Sequence, residues 1–298
     1  MDLDIVEEII ACLPDDRTLF HYYPQRYALV LLSHLIGERT PVSDLRRRAY
    51  RKLLEQPAVK AAMAMRGDGH VDPDTFRAYW PAERPHGFVL TLGTWGERGH
   101  HSWYQTTRGG YNLVVQLNIN AGDMACLKRF TDDPTWFNCW GHPSRRPHQR
   151  HYRETLAWAR LDVDFDTNEA LIEEVQSDFV RDLQRYVSRD DEPAPPLARL
   201  LRELRGLWQE AMLTATIDFV WRELGIDHVY YHEFETGNWL KDLRYSQPPR
   251  SLYDRLPRRF CMTLTGDAPR MLREHRACAK RLRRLPDAKF FQLSRAAA

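Results

Sequence analysis

Residues 170–178 read Ala-Leu-Ile-Glu-Glu-Val-Gln-Ser-Asp. In an extended chain, successive side chains alternate between two faces. One face then carries Leu171, Glu173, Val175 and Ser177, and the other Ile172, Glu174, Gln176 and Asp178. A strand needs apolar residues on the face it buries, so a row of Glu, Gln and Asp demands water, a partner or a ligand. Two readings stand side by side. The row is the solvated face of an antiparallel sheet, or it is three convergent polar groups on one rigid element, the raw material of a binding site. Position favours the second. A hairpin precedes the run and a helical crossover follows it, which places the strand mid-sheet.

The neighbouring segments give that strand its sheet. Residues 156–165 alternate, with Leu161, Val163 and Phe165 opposing Asp162, Asp164 and Asp166, and the Asp-Thr-Asn-Glu at 166–169 is a turn. Residues 88–95 and 113–120 read as further strands. In the second, Gln116 and Asn118 share a face, so we count both as candidate substrate contacts. Residues 122–130 read as a helix, and 134–153 and 187–196 as loops. A long helix over 197–224, or two with a break at Gly206, closes at Gly225, followed by a strand over 226–235. A short helical segment at 252–256, a strand at 260–264, a helix from the N-cap Asp267 to 285 and an edge strand at 289–293 complete the chain. The strand–helix–strand passage implies a parallel pair.

Before residue 86 the pattern is helical, with segments at 4–13, 23–36, 42–54 and a short one at 72. The expectation is therefore α+β (mixed α/β). A helical N-terminal region over 1–85 covers a mixed-sheet domain over 86–298 that ends in a basic helix.

Composition removes several classes. Hydrophobic residues at 43%, with nine Trp and thirteen Tyr, exclude a disordered chain. No apolar run approaches the ~20 residues of a membrane span. A formal charge of +2 gives no global attraction to nucleic acid. The acidic N-terminus lacks the basic start of a signal peptide. Cys12, Cys126, Cys139, Cys261 and Cys278 form no CxxC pair. Together these point to a cytoplasmic protein with reduced thiols and without a membrane partner.

Within 226–235, Tyr231, Glu233 and Glu235 share one face and Tyr230, His232 and Phe234 the other. In a strand parallel to 170–178, that acidic face would converge with Glu174 at the C-terminal ends, where open α/β sheets bind ligands. His232 reads as a core or rim histidine. Asp162, Asp164, Asp166, Asn168 and Glu173 imitate a calcium loop, but Thr167 stands where the sharp turn needs glycine, so no metal site is assigned. His100, His101, His142, His148 and His151 have no zinc spacing and read as solvated loop residues. The basic C-terminal helix offers Arg273, Arg276, Lys280 and Arg284 as a phosphate-binding face for nucleic acid.

Two resemblances follow from these residues. Ile172-Glu-Glu-Val-Gln-Ser-Asp-Phe179, then Gly225-Ile-Asp-His-Val-Tyr-Tyr, Thr236-Gly237 and Leu252-Tyr-Asp-Arg-Leu-Pro257, resemble in order the "EIQSDW" domain of large polyvalent proteins from phages and mobile elements. This series covers about a third of the chain and implies no particular activity. The order of hairpin, helix, strand, short helix and strand is similar to the core of GNAT acyltransferases. That resemblance implies an acyl-coenzyme A donor cradled between strand 170–178 and helix 197–224. It implies Glu174 as general base, Gln176 and Asp178 beside it, and Tyr253 protonating the leaving thiolate. The chain departs from that family in one place: the glycine-rich pyrophosphate loop after the strand is missing, and Asp178 is followed by Phe-Val-Arg-Asp-Leu. The donor and substrate therefore stay open in the sequence. The alternative is a non-catalytic module that binds nucleic acid or a protein.

Overall fold

The computed structural model describes residues 1–13, 17–97, 105–131, 137, 142, 153–188, 194–243 and 247–295. Of the sequence candidates, His100, His101, His148, His151 and Cys139 lie outside these, as do most of 134–153 and much of 187–196.

Eight strands form one sheet: β1 (Arg17–Tyr22), β2 (His86–Glu97), β3 (Gly110–Asn118), β4 (Thr155–Asp164), β5 (Glu169–Gln176), β6 (His228–His232), β7 (Thr263–Thr265) and β8 (Phe290–Ser294). Their order across the sheet is β1-β2-β3-β4-β5-β6-β8-β7. Pairing is antiparallel except between β5 and β6, which the long helical crossover makes parallel. The fold is α+β with a mixed sheet, as the pattern of periods implies.

Both sheet faces are covered. Ala157, Ala159, Leu161 and Val163 of β4 join Ile172 and Val175 of β5 and Val229 and Tyr231 of β6 in the main apolar core. The Pro195–Arg222 helix packs there, burying Leu197, Leu200, Leu201, Leu204, Trp208 and Ala211 at helical spacing. It runs unbroken through Gly206, whose helix cost of ~1 kcal/mol is small beside this burial. It closes at Gly225, which has the expected left-handed φ of +68°. The same core takes in Val6, Tyr27, Leu32 and Val59, so the N-terminal helices share it. On the opposite face Leu171, Tyr230 and Phe290 meet Met271, Leu272 and Cys278.

Several elements differ from the sequence reading. Arg17–Tyr22 is an edge strand inside the region read as helical. Its Thr-Leu-Phe-His-Tyr run, rich in β-forming residues, finds a partner in β2. Residues 42–54 split into a helical turn, Val42–Leu45, and a 3-10 segment, Arg51–Glu55. The basic helix splits into Arg270–Glu274 and Arg276–Leu282 at His275, whose extended backbone (ψ 113°) interrupts it. Asp267 does not cap it. The Glu169 carboxylate does, accepting from the Arg270 and Met271 amides at 2.9 and 2.8 Å. Among the described residues no helix is long and apolar enough to cross a membrane.

Candidate functional site

A bulge decides the site. Arg160 pairs with Glu174, but the next residue, Leu161, pairs with Ile172, so Glu173 is an extra residue in β5. Ile172 faces the core before the bulge and Val175 after it. Strict alternation therefore fails, and Glu174 and Gln176 do not share a face with Ile172. The same place ends pairing with β6: the parallel ladder runs only to Ile172 and Tyr231. Past it, the Glu173 carbonyl accepts from the buried Lys241 ammonium at 2.7 Å.

A pocket of about 810 Å³ lies at this end of β5. Its walls include Glu174, Gln176, His142, Trp158, Arg181 and Trp208. Apart from His142, which lies outside any helix or strand, these come from β5, β4, the Pro195–Arg222 helix and the Asp178–Ser188 helix that starts after Ser177. Asp178 is thus a first-turn helix residue, not the end of the strand.

Behind the pocket wall the Asp178 Oδ2 accepts from His142 Nδ1 at 2.7 Å. Asp178 also accepts from Gln176 Nε2 at 2.7 Å, from Arg181 Nη2 at 2.5 Å and from Trp158 Nε1 at 3.4 Å. Burial would raise the Asp178 pKa, but the hydrogen bond from His142, its charge, and Gln176 and Arg181 outweigh it and leave the carboxyl below its usual value. An ionised carboxylate only accepts, so the proton of this contact is on His142 Nδ1. Gln176 Nε2 also lies 3.1 Å from Nδ1. Asp178 is 2% exposed and His142 35%, so a sealed carboxylate orients an accessible imidazole.

Glu174 is in the same pocket, but its charge is committed to Arg160 in a buried ion pair. Burial pushes its pKa up, while the charges of Arg160 and Lys241 pull it below the usual range, so Glu174 is a poor base. The Arg160 guanidinium also lies over the Trp95 and Trp158 rings, at 5.3 and 5.9 Å.

Glu173 belongs to a different, sealed cluster. Its carboxylate accepts from the Thr107 amide and hydroxyl, both at 2.8 Å, and lies 3.0 Å from His232 Nε2. Glu173 and His232 are both 0% exposed. Burial opposes the Glu173 charge, but His232, Lys241 and Arg160 hold its pKa down to about 2.

The other sequence candidates scatter. Glu233 and Glu235 do not converge with Glu174, because β6 ends at His232 and a helix, Phe234–Leu240, begins. The Glu233 side chain caps that helix, accepting from the Glu235 and Thr236 amides at 2.9 and 3.1 Å. Glu235 is exposed and paired with Arg250. Gln116 and Asn118 are buried in a network of their own: Thr91 donates to Gln116, Asn118 to Thr91 and Thr155 to Asn118, at 2.8–2.9 Å. Neither lines the pocket. Tyr231 and Tyr253 stack on each other, fully buried. Arg108 spans the aspartate run, donating to Asp162 and Asp164 at 2.7 Å each. Arg273, Arg276 and Lys280 are exposed on the two short C-terminal helices, and Arg284 is exposed in the turn after them.

Residue reading missed His142, Arg160 and Lys241 as members of this site. The signal for the bulge was present: apolar Ile172 and Val175 stand three apart around two glutamates. Arg160 was visible as a charge in an otherwise apolar run. Nothing in the sequence around His142 marks it. No family model, curated protein or solved structure matches the chain.

Proposed function

We propose that the pocket is the active site of an acyltransferase-like enzyme in which His142, oriented by Asp178, is the general base. The observation that carries this reading is the Asp178–His142 pair, with its carboxylate buried and its imidazole open to the pocket. His142 Nε2 takes the proton of an acceptor amine as its nitrogen attacks an acyl thioester. The C–N bond forms, the C–S bond breaks, and the thiolate leaves. Gln176 and Trp158 keep Asp178 in place. Glu174, bound to Arg160, shapes the wall and takes no proton.

The GNAT resemblance supports the donor. The two elements expected to cradle coenzyme A, β5 and the Pro195–Arg222 helix, flank this pocket. The missing glycine loop is the point against it, and Asp178 puts a carboxylate where that loop would lie. Positive charge comes instead from Arg181, Arg185 and Arg205 on the pocket lining. The resemblance to polyvalent proteins suggests a mobile-element origin, and a thioester donor suggests a cytoplasmic setting.

A thermal-shift titration with acetyl-coenzyme A tests the reading. A saturable rise on the order of 5 °C at a hundredfold excess over Kd is expected. A flat response at millimolar ligand removes coenzyme A as donor. A second reading rests on the exposed cations Arg273, Arg276, Lys280 and Arg284, which suit nucleic-acid phosphates. Binding to a DNA duplex that falls steeply with salt, and less steeply by about one slope unit per cation removed, would favour it.

A further inference from the structure

The lining of the 810 Å³ pocket is uneven in charge. Among the described residues, the guanidiniums of Arg160, Arg181, Arg185 and Arg205 line it against the one carboxylate of Glu174. Three of these cations are already matched: Arg160 by Glu174, Arg181 by Asp178 and Arg185 by Asp182. Arg205 is exposed and has no ion-pair or hydrogen-bond partner among the described residues. Glu174 is committed to Arg160, so the lining keeps no carboxylate to receive a cation. A cleft of this sign attracts anions and works against polycations.

A second observation concerns rings. Trp95, Trp158 and Trp208 line the same pocket. Trp158 borders the His142 imidazole edge-on, with ring centroids 5.7 Å apart. Trp208 and Gln209 follow Arg205 by three and four positions on the Pro195–Arg222 helix. Residues so spaced share a helix face, with Cβ atoms about 5–6 Å apart. All three line the pocket. One turn of this helix therefore presents an unpaired guanidinium, an indole and an amide together. A carboxylate and a flat ring joined by a few bonds match that spacing, the first held by the guanidinium and the second packed on the indole.

We propose that the acceptor is an amine that carries both an anionic group and a flat ring, the class of the aromatic amino acids, and that Arg205 holds its anion. The same charge excludes polyamines. The role of acceptor rests on the function proposed above. The class of ligand does not, because it follows from the lining alone.

Thermal-shift titrations without any donor test the class, with L-phenylalanine, L-alanine, phenethylamine and spermidine as probes. Phenylalanine should give a saturable shift. Alanine lacks the ring and phenethylamine lacks the carboxylate, so each should bind about tenfold more weakly. Spermidine should give no shift. Arg205→Gln changes an exposed, unpaired side chain and should keep the melting temperature of the free protein. It should weaken phenylalanine about tenfold and leave phenethylamine unchanged. A flat response to millimolar phenylalanine would overturn the proposal. So would alanine or spermidine binding as tightly as phenylalanine, or a variant that affects phenylalanine and phenethylamine equally. The two readings fail separately. Phenylalanine binding beside a flat response to acetyl-coenzyme A would sustain the ligand class and remove acyl transfer from that donor. A response to acetyl-coenzyme A alone would overturn the ligand class and leave the transferase reading standing.

Discussion

Two carboxylate–imidazole pairs stand at the same end of β5, and they are built for opposite ends. Glu173–His232 is completely buried and shares Thr107. Asp178–His142 has an equally buried carboxylate, but its imidazole is a third exposed and faces the pocket. The contacts are alike in length, at 3.0 and 2.7 Å. What separates them is access. A pair without exposure is cut off from solvent, whereas an imidazole that is a third exposed can exchange protons with it. The bulge creates this division, because the extra residue turns Glu173 into the interior and leaves the strand's end at the pocket.

The largest effect expected from breaking that contrast is at the sealed pair. His232→Ala leaves Glu173 charged and buried, and should cost about 3–5 kcal/mol in urea unfolding. A loss below about 1 kcal/mol would show that the cluster does not carry the fold. At the open pair the balance of the outcome reverses. His142→Ala should lower acyl-transfer turnover by about 10²–10⁴-fold. Its unfolding free energy should fall by about 1–2 kcal/mol, less than at the sealed pair, because Gln176, Arg181 and Trp158 still donate to Asp178. Comparable damage to stability and turnover would erase the distinction.

A smaller effect is expected where the sealed histidine meets its neighbour. A Cβ on Gly237 would sit 2.8 Å from the His232 Cβ, inside a helix that cannot shift freely. Gly237→Ala should therefore cost about 1–3 kcal/mol, read by the same denaturation.

Acid sensitivity sharpens the contrast further. Burial lowers the His232 pKa despite Glu173, so the unfolded chain binds that proton first. Stability should begin to fall as pH drops below the unfolded histidine value of about 6.5. Glu173 has a depressed folded pKa, so its contribution is whole above the unfolded value of about 4.3. It should be lost as pH falls towards about 2. The Glu173→Gln variant should show a shallower decline between those limits in pH-dependent melting. An unchanged profile would locate the acid sensitivity elsewhere.

Much of the architecture was legible because it follows from local periods. The alternation of β4, the turn at 166–169 and the helix ending at Gly225 each depend on residues close in the chain. Arg17–Tyr22 was harder, since a short edge strand gains its stability from β2, far away in sequence. Glu233 read as a strand residue because its identity fits either state, and only the helix that starts after it makes it a cap. His142 came from a stretch without a period, so its role depended wholly on where Asp178 would be.

The sequence by itself determined the α+β class, the mixed sheet with one parallel crossover, and the polar character of the 170–178 strand. Hydrophobic periodicity and turn chemistry are properties of neighbouring residues, and they survive without knowledge of the fold. Only the tertiary structure decided which carboxylate faces the pocket, which is sealed, and which histidine meets it. Those choices depend on the bulge in the β4–β5 register and the divergence of β5 from β6. Both arise from pairing between segments distant in sequence, where one extra residue reverses every side chain that follows.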